Sequence, residues 1–365
     1  MTRKSHGARR TNQQRVLPPP VTKLPPVPKR IRFPGIPGTA LPPTLGHWLW
    51  TCREGFEDCL FEELAWNKAV AKPLGACLVE SAELPKQPSA FARMGFRVSD
   101  ICENAEQLVE RIGTAPLHLQ VWVPDSEKLN RFQSVATDLQ QKCQTLLADR
   151  GVQLFDTPWK AFEHNGRLVQ VCVLGSSQLV LGEVPARDAV SLAPGGRARM
   201  KRQADAPSRA SMKLDEALEW YGVSPGRGEV CADLGSAPGG WTRRLVERGA
   251  RVVSVDPGKL AEDLAKSSKV KHYFQSAFQF EPEEPVDWLF CDMAWRPLEV
   301  AQLLSKWGRK KWATHLVANI KLPMKDKLPM VWAARHTLEN GGWKHVRIRQ
   351  LYHDRDEVTV SARSH

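Results

Sequence analysis

The sequence predicts a doubly wound, mainly parallel α/β sheet preceded by a smaller α+β region. Three observations carry this. From residue 229 onward, apolar runs of strand length recur at 230–234, 251–255, 270–274, 286–291, 314–320, 344–351 and 358–362. Helical segments at 241–248, 259–266, 297–307 and 327–338 separate most of them, and strands apolar on both faces with helices between them belong in a covered parallel sheet. A glycine-rich turn, 233–241, follows the first run and opens the first helix, as at the ligand edge of such sheets. Finally, 365 residues with 42% hydrophobic content are enough for two or three domains with real cores.

Taken in order, residues 1–46 hold ten prolines, nine Lys or Arg and no acid. So little large apolar material cannot offset its ordering entropy, so a disordered basic arm is expected. Ordered patterning begins at His47, with a strand over 48–52 and a helix over 56–65. Strands follow at 90–98 and 117–123, a long helix at 127–150, and strands at 168–174 and 179–183. These divide into an α+β region over 47–115 and a second over 116–190, without any nucleophile constellation. Residues 191–213 are basic and punctuated by Gly and Pro, which reads as a linker leading into a helix over 211–221. The last two apolar runs are joined by a short connection and should pair as an antiparallel hairpin.

The net charge is +12, yet beyond the arm 43 basic residues face 40 acidic ones. A basic arm on a balanced body suits a polyanion such as structured RNA, or serves only as a solubilising tail. No stretch approaches the ~18 apolar residues of a membrane span, and no secretory leader pattern is present. Eight cysteines, none in a C-x2-C pair, argue against a zinc site or a disulfide framework and point to a reducing cytoplasm. No metal ligand set stands out, and nothing in the pattern demands more than a monomer.

The loop Asp233-Leu-Gly-Ser-Ala-Pro-Gly-Gly-Trp241 lacks the G-x-G-x-x-G spacing that seats a pyrophosphate. Its acidic start suits a cofactor with an amino group and a cation. Asp256 ends the second strand, where an acid accepts hydrogen bonds from the two hydroxyls of an adenosine ribose. Adenosine joined to a cationic, amino-bearing group means S-adenosylmethionine. Four more polar residues fall where a reaction centre would need them. Lys213 lies on the helix before the first strand, Asp292 and Lys321 end apolar runs, and Glu357 begins an antiparallel one. All four should meet at one edge of the sheet.

These residues also carry a family resemblance. Pro207-Ser-Arg-Ala-Ser-Met-Lys213, the 233–241 loop, Cys291-Asp-Met, Lys321-Leu-Pro-Met-Lys325 and Asp356-Glu357-Val-Thr-Val resemble the RrmJ/fibrillarin-type RNA ribose 2′-O-methyltransferases. Within that group the RlmM-type enzymes, which modify a cytidine of bacterial 23S ribosomal RNA, are nearest. The resemblance implies a Rossmann-like class I methyltransferase domain over 191–365, with ferredoxin-like (47–115) and THUMP-like (116–190) RNA-binding parts before it. It implies that Lys213, Asp292, Lys321 and Glu357 form a K-D-K-E tetrad. It also implies that Ser211, Ala237, Pro238, Gly239, Gly240, Trp241, Asp256, Ser276 and Asp292 surround the cofactor. Ser276 stands where the family pattern leads to an acid near the adenine, and the 1–46 arm has no counterpart in it.

In this reading Lys321 is the general base that takes the proton of a ribose 2′-hydroxyl as it attacks the methyl group. Burial and Lys213 would lower its pKa, with Asp292 and Glu357 opposing. Arg197–Lys213 and the 310–327 region are candidates for phosphate contacts. Two alternatives stand beside it. A base methyltransferase would want an Asn/Asp-Pro-Pro-aromatic loop, where this chain has Asp292-Met-Ala-Trp295, or an exposed nucleophilic cysteine. A non-catalytic RNA-binding assembly factor would keep the fold without the chemistry.

Overall fold

The computed structural model describes residues 26–198 and 210–364. Residues 1–25 of the arm, and Arg199, Lys201, Arg202 and Arg209 of the basic linker, lie outside that range. Two mixed sheets of seven strands each make up the molecule. The first comprises β1 (Trp48–Thr51), β2 (Ala71–Gly75), β3 (Leu78–Ser81), β4 (Met94–Cys102), β5 (Leu117–Trp122), β6 (Arg167–Gly175) and β7 (Gln178–Pro185). Their spatial order is β2-β3-β1-β4-β7-β6-β5, so one continuous sheet runs through both regions expected on either side of residue 115. Its helices are α1 (Glu57–Trp66), α2 (Ala105–Arg111), α3 (Gln133–Asp149) and α4 (Pro158–Glu163).

The disorder expected of 1–46 does not extend over 26–46. This stretch has no regular secondary structure, but it is tied down: Leu41 N–H donates to the Leu74 carbonyl at 2.7 Å and Thr44 N–H to Glu80 at 2.8 Å. Phe33 packs edge-on against Phe61 of α1, with ring centres 5.5 Å apart. Borrowed apolar surface supplies what the segment's own composition lacks.

The second unit begins with α5 (Ala210–Tyr221) and continues through β8 (Val230–Leu234), α6 (Gly240–Glu247), β9 (Arg251–Val255), α7 (Glu262–Ala265) and β10 (Val270–Tyr273). It ends with β11 (Val286–Cys291), α8 (Pro297–Arg309), β12 (Ala313–Lys321), α9 (Lys327–Asn340), β13 (Lys344–Arg349) and β14 (Glu357–Arg363). The order β10-β9-β8-β11-β12-β14-β13 is parallel except for β14, which runs antiparallel to both neighbours. This is the doubly wound class the apolar runs predict. The strand order reverses between the parallel neighbours β8 and β11, and such a switch point opens a crevice at the C-terminal ends of the strands.

One apolar cluster passes through both units. Trp50, Phe56, Leu60 and Phe91 of the first share it with Leu316, Leu328, Val331 and Ile348 of the second. The junction is therefore a core rather than a tether.

Candidate active site

Strand β8 delivers Asp233 to the crevice and the glycine-rich loop turns away from it. Gly235 and Gly239 have φ of +76° and +114°, a backbone region that costs L side chains dearly. A Cβ on Gly235 would also lie 2.5 Å from Met293, the residue after Asp292. The loop and the tip of β11 thus touch only because position 235 has no side chain. Asp233 is buried and accepts a hydrogen bond from Thr242 Oγ1 at 2.6 Å. Burial pushes its carboxyl up to about 7, and the nearby Asp292 and Asp256 push the same way.

Asp256 lies just beyond β9. One of its oxygens accepts from Ala237 N–H at 3.2 Å and the other from Gly258 N–H at 2.6 Å. Each oxygen keeps lone pairs for further donors such as ribose hydroxyls. Three carboxylates at adjoining strand tips fit a cation attached to a polar nucleoside. The cofactor expectation therefore fits the donor set present.

Other expected cofactor neighbours divide. Ala237, Pro238, Gly239 and Gly240 form the loop itself. Ser276 follows β10 on the same sheet edge, where its hydroxyl accepts from Phe278 N–H at 3.3 Å. Ser211 is buried on α5, two residues before Lys213. Trp241 is different. Its indole is 3% exposed and packs edge-on with Phe290 in the core.

The four polar residues converge. Antiparallel register places Lys321 directly opposite Glu357, and their side chains form an ion pair. Lys321 also reaches Asp292 Oδ1 at 3.1 Å, while Lys213 arrives from α5 to pair with the other oxygen of Glu357. Glu357, 4% exposed at its side chain, is clasped between two ammonium groups. Burial works to raise the Glu357 carboxyl, but its bonds to Lys213 and Lys321 win and hold it below the ordinary range.

For Lys321 the balance falls the other way from the sequence expectation. Burial lowers its pKa, yet Asp292 and Glu357 outweigh burial and the net shift is upward. Two carboxylates within contact distance contribute more than one partly buried amine loses. Lys321 therefore rests as an ammonium ion.

A cleft of about 520 Å³ opens beside Lys213, at the junction of the two units. Arg53 and Asp125 line it from one side, and Met212, Tyr352, His353 and Arg355 from the other. The basic candidates over 310–327 do not all reach this edge. Lys310 and Lys311 precede β12, about 26 Å along the strand from Lys321 at ~3.3 Å per residue, so they sit at the opposite side of the sheet. Arg197 is held by Asp125 at 3.4 Å.

Residues 206–342 match the FtsJ-like methyltransferase family model. Across the whole chain, a ribosomal RNA large subunit methyltransferase M from Alkalilimnicola ehrlichii is 34% identical over 356 residues, covering 86% of this chain and 94% of that protein. The chain belongs to the ribosomal RNA large subunit methyltransferase M family. A member from Shewanella putrefaciens is 33% identical over 85% of this chain and 95% of its own length. One from Halorhodospira halophila is 43% identical over 173 residues, which span 51% of its length and 47% of this chain. The chain is thus a methyltransferase, with S-adenosylmethionine as its cofactor.

Two polar residues escape the sequence reading. Asn319 and Thr359 are fully buried and lie opposite one another, two positions deeper than Lys321 and Glu357. Strand alternation puts both pairs on one face. A polar residue two places before a strand-end functional group, within an apolar run, was the available signal.

Proposed function

We propose that this methyltransferase acts on a ribose 2′-hydroxyl of ribosomal RNA, with Lys321 taking the hydroxyl proton. The observation that supports it best is the Lys213–Glu357–Lys321–Asp292 cluster beside a glycine-rich cofactor loop. A sugar hydroxyl is a poor nucleophile until a positioned base removes its proton in the transition state. A nitrogen base held by two carboxylates meets that need, and Lys213 neutralises one of those carboxylates. S-adenosylmethionine supplies the methyl group on a sulfonium.

The family name specifies the large-subunit RNA, and the RlmM-type resemblance points to a cytidine within it. We assign the first unit, residues 47–190, to holding structured RNA, with the junction cleft and its Arg53, Arg355 and Tyr352 beside the reacting hydroxyl. Methylation of a base carbon is disfavoured: Cys291 is fully buried, and burial pushes its thiol up to about 12. Eight buried, unpaired cysteines fit the reducing cytoplasm, and a monomer suffices because all four residues of the cluster come from one chain.

Lys321→Ala is the direct test. Ribose methylation of large-subunit RNA should fall by at least about a hundredfold, the scale of a lost general base. Binding of S-adenosylmethionine by titration calorimetry should persist. Retained turnover would reject the assignment.

A further inference from the structure

We infer that Asp354 is a neutral carboxylic acid whose hydroxyl, acting through Thr359 and Asn319, holds Asp292 in position. The kinetic part rests on the function proposed above, but the protonation does not.

The argument is one of hydrogen counting. Thr359 Oγ1 lies 3.0 Å from Asn319 Oδ1 and 2.9 Å from Asp354 Oδ2. A threonine hydroxyl has one hydrogen, so it can donate to only one of these oxygens. Asn319 turns its Nδ2 toward Asp292 Oδ1, at 3.5 Å, which fixes its carbonyl oxygen toward Thr359. That oxygen brings no hydrogen of its own and must receive the one from Thr359. Asp354 Oδ2 then faces the Thr359 oxygen at hydrogen-bond distance, and a contact of that length needs a hydrogen on Asp354. A carboxylate there would set lone pairs against lone pairs.

The surroundings agree. Asp354, Thr359 and Asn319 are all fully buried. Among the described residues no cationic side chain pairs with Asp354, although Arg53 donates to its backbone carbonyl at 3.3 Å. A buried, unpaired carboxylate is costly and neutralises instead. Burial raises the Asp354 carboxyl well above its ordinary range, and Glu357 adds to the shift. The same Oδ2 also accepts Leu351 N–H at 2.9 Å to close the turn, which a carboxyl hydroxyl oxygen can do through a lone pair while donating its hydrogen to Thr359.

The links run from Asp354 to Thr359, from Thr359 to Asn319, and from Asn319 to the same Asp292 oxygen that Lys321 holds. Asp354, Thr359 and Asn319 are thus positioning residues for the carboxylate beside the base.

Infrared difference spectra of the full chain, wild type minus Asp354→Asn, test the protonation. At about pH 9 an ordinary carboxyl is fully ionised, and so is Asp233. The difference should then show the C=O stretch of a neutral acid. Loss of carboxylate bands instead would overturn the inference, and neither RNA nor cofactor is needed to see it.

Kinetics test the positioning. In Asp354→Leu and Thr359→Val, kcat for RNA methylation should fall about 10- to 100-fold, as for a misplaced reacting group. The KM for S-adenosylmethionine should hold within about twofold. Asp354→Asn is neutral and its amide nitrogen can donate to Thr359, but that nitrogen cannot also accept Leu351 N–H as Oδ2 does, so it should recover only part of the loss. A Thr359→Val variant at the wild-type rate would reject the chain of contacts.

Discussion

At the residue scale, the charge state of Lys321 makes the pH dependence of turnover specific. Its pKa is raised above 10.5 because Asp292 and Glu357 outweigh burial. Below that value the amine fraction grows about tenfold per pH unit, so kcat should climb between about pH 7 and about pH 9. Glu357→Gln removes one of the two anions and leaves Lys213 as an unpaired cation nearby. Both changes lower the Lys321 pKa, so the rising limb should move to lower pH while the maximum rate drops. A pH–rate series on both proteins checks this, and an unmoved limb would mean that another group titrates. The identities of these charges were legible in the sequence, because strand ends punctuate apolar runs. Their balance was not. Whether burial or ion pairing wins depends on contacts of about 3 Å, which no spacing encodes. The indole of Trp241 was not legible either: its position marks the loop, but its side chain belongs to the core.

At the scale of elements, legibility followed burial. Strands β8, β9 and β11 have the limits the apolar runs predict, since strands covered on both faces carry no polar alternation to blur them. β2 was missed because Pro73 and Gly75 read as breakers. It lies at the edge of its sheet, where a missing N–H costs no ladder bond. Residues 90–93 were read as strand, but the buried Glu63 carboxylate accepts Ala90 N–H at 2.8 Å and Phe91 N–H at 3.2 Å, and so replaces a strand partner. Helix packing yields a prediction of its own. The last turn of α8 meets the turn after α9 backbone to backbone, and a Cβ on Gly308 would stand 2.4 Å from the Gly341 carbonyl. Trp343, whose indole donates to the Leu304 carbonyl at 2.8 Å, closes the other side. In Gly308→Ala the gain in helix propensity is about 1 kcal/mol, while overpacking costs about 1–3 kcal/mol. Denaturant unfolding should find the variant less stable, and a stabilised variant would show that the contact yields.

At the scale of the whole molecule, the question is what makes two seven-stranded units act as one. Arg93, 1% exposed, reaches from the first unit into the turn that precedes Glu357. It donates to the Tyr352 carbonyl at 3.2 Å and the Leu351 carbonyl at 3.4 Å, and pairs with Asp125 at 3.4 Å. Its own carbonyl accepts from Arg349 at 2.7 Å, and Gln350 N–H donates to the Ala90 carbonyl at 2.7 Å. The turn that presents Glu357 is thus held by the unit assigned to RNA. Arg93→Ala would strand those carbonyls and leave Asp125 with Arg197 alone. Breaking a buried charged contact costs about 3–5 kcal/mol, which for units of this size lowers Tm by roughly 6–20 °C at ~2–4 °C per kcal/mol. The apolar cluster crossing the junction remains, so calorimetry should show a single transition at lower temperature rather than two. Methylation should fall further than S-adenosylmethionine affinity, because the damaged turn carries Glu357 while the cofactor loop between β8 and α6 is untouched. Equal losses of binding and turnover would place the effect of Arg93 in general stability instead of in the alignment of the two units.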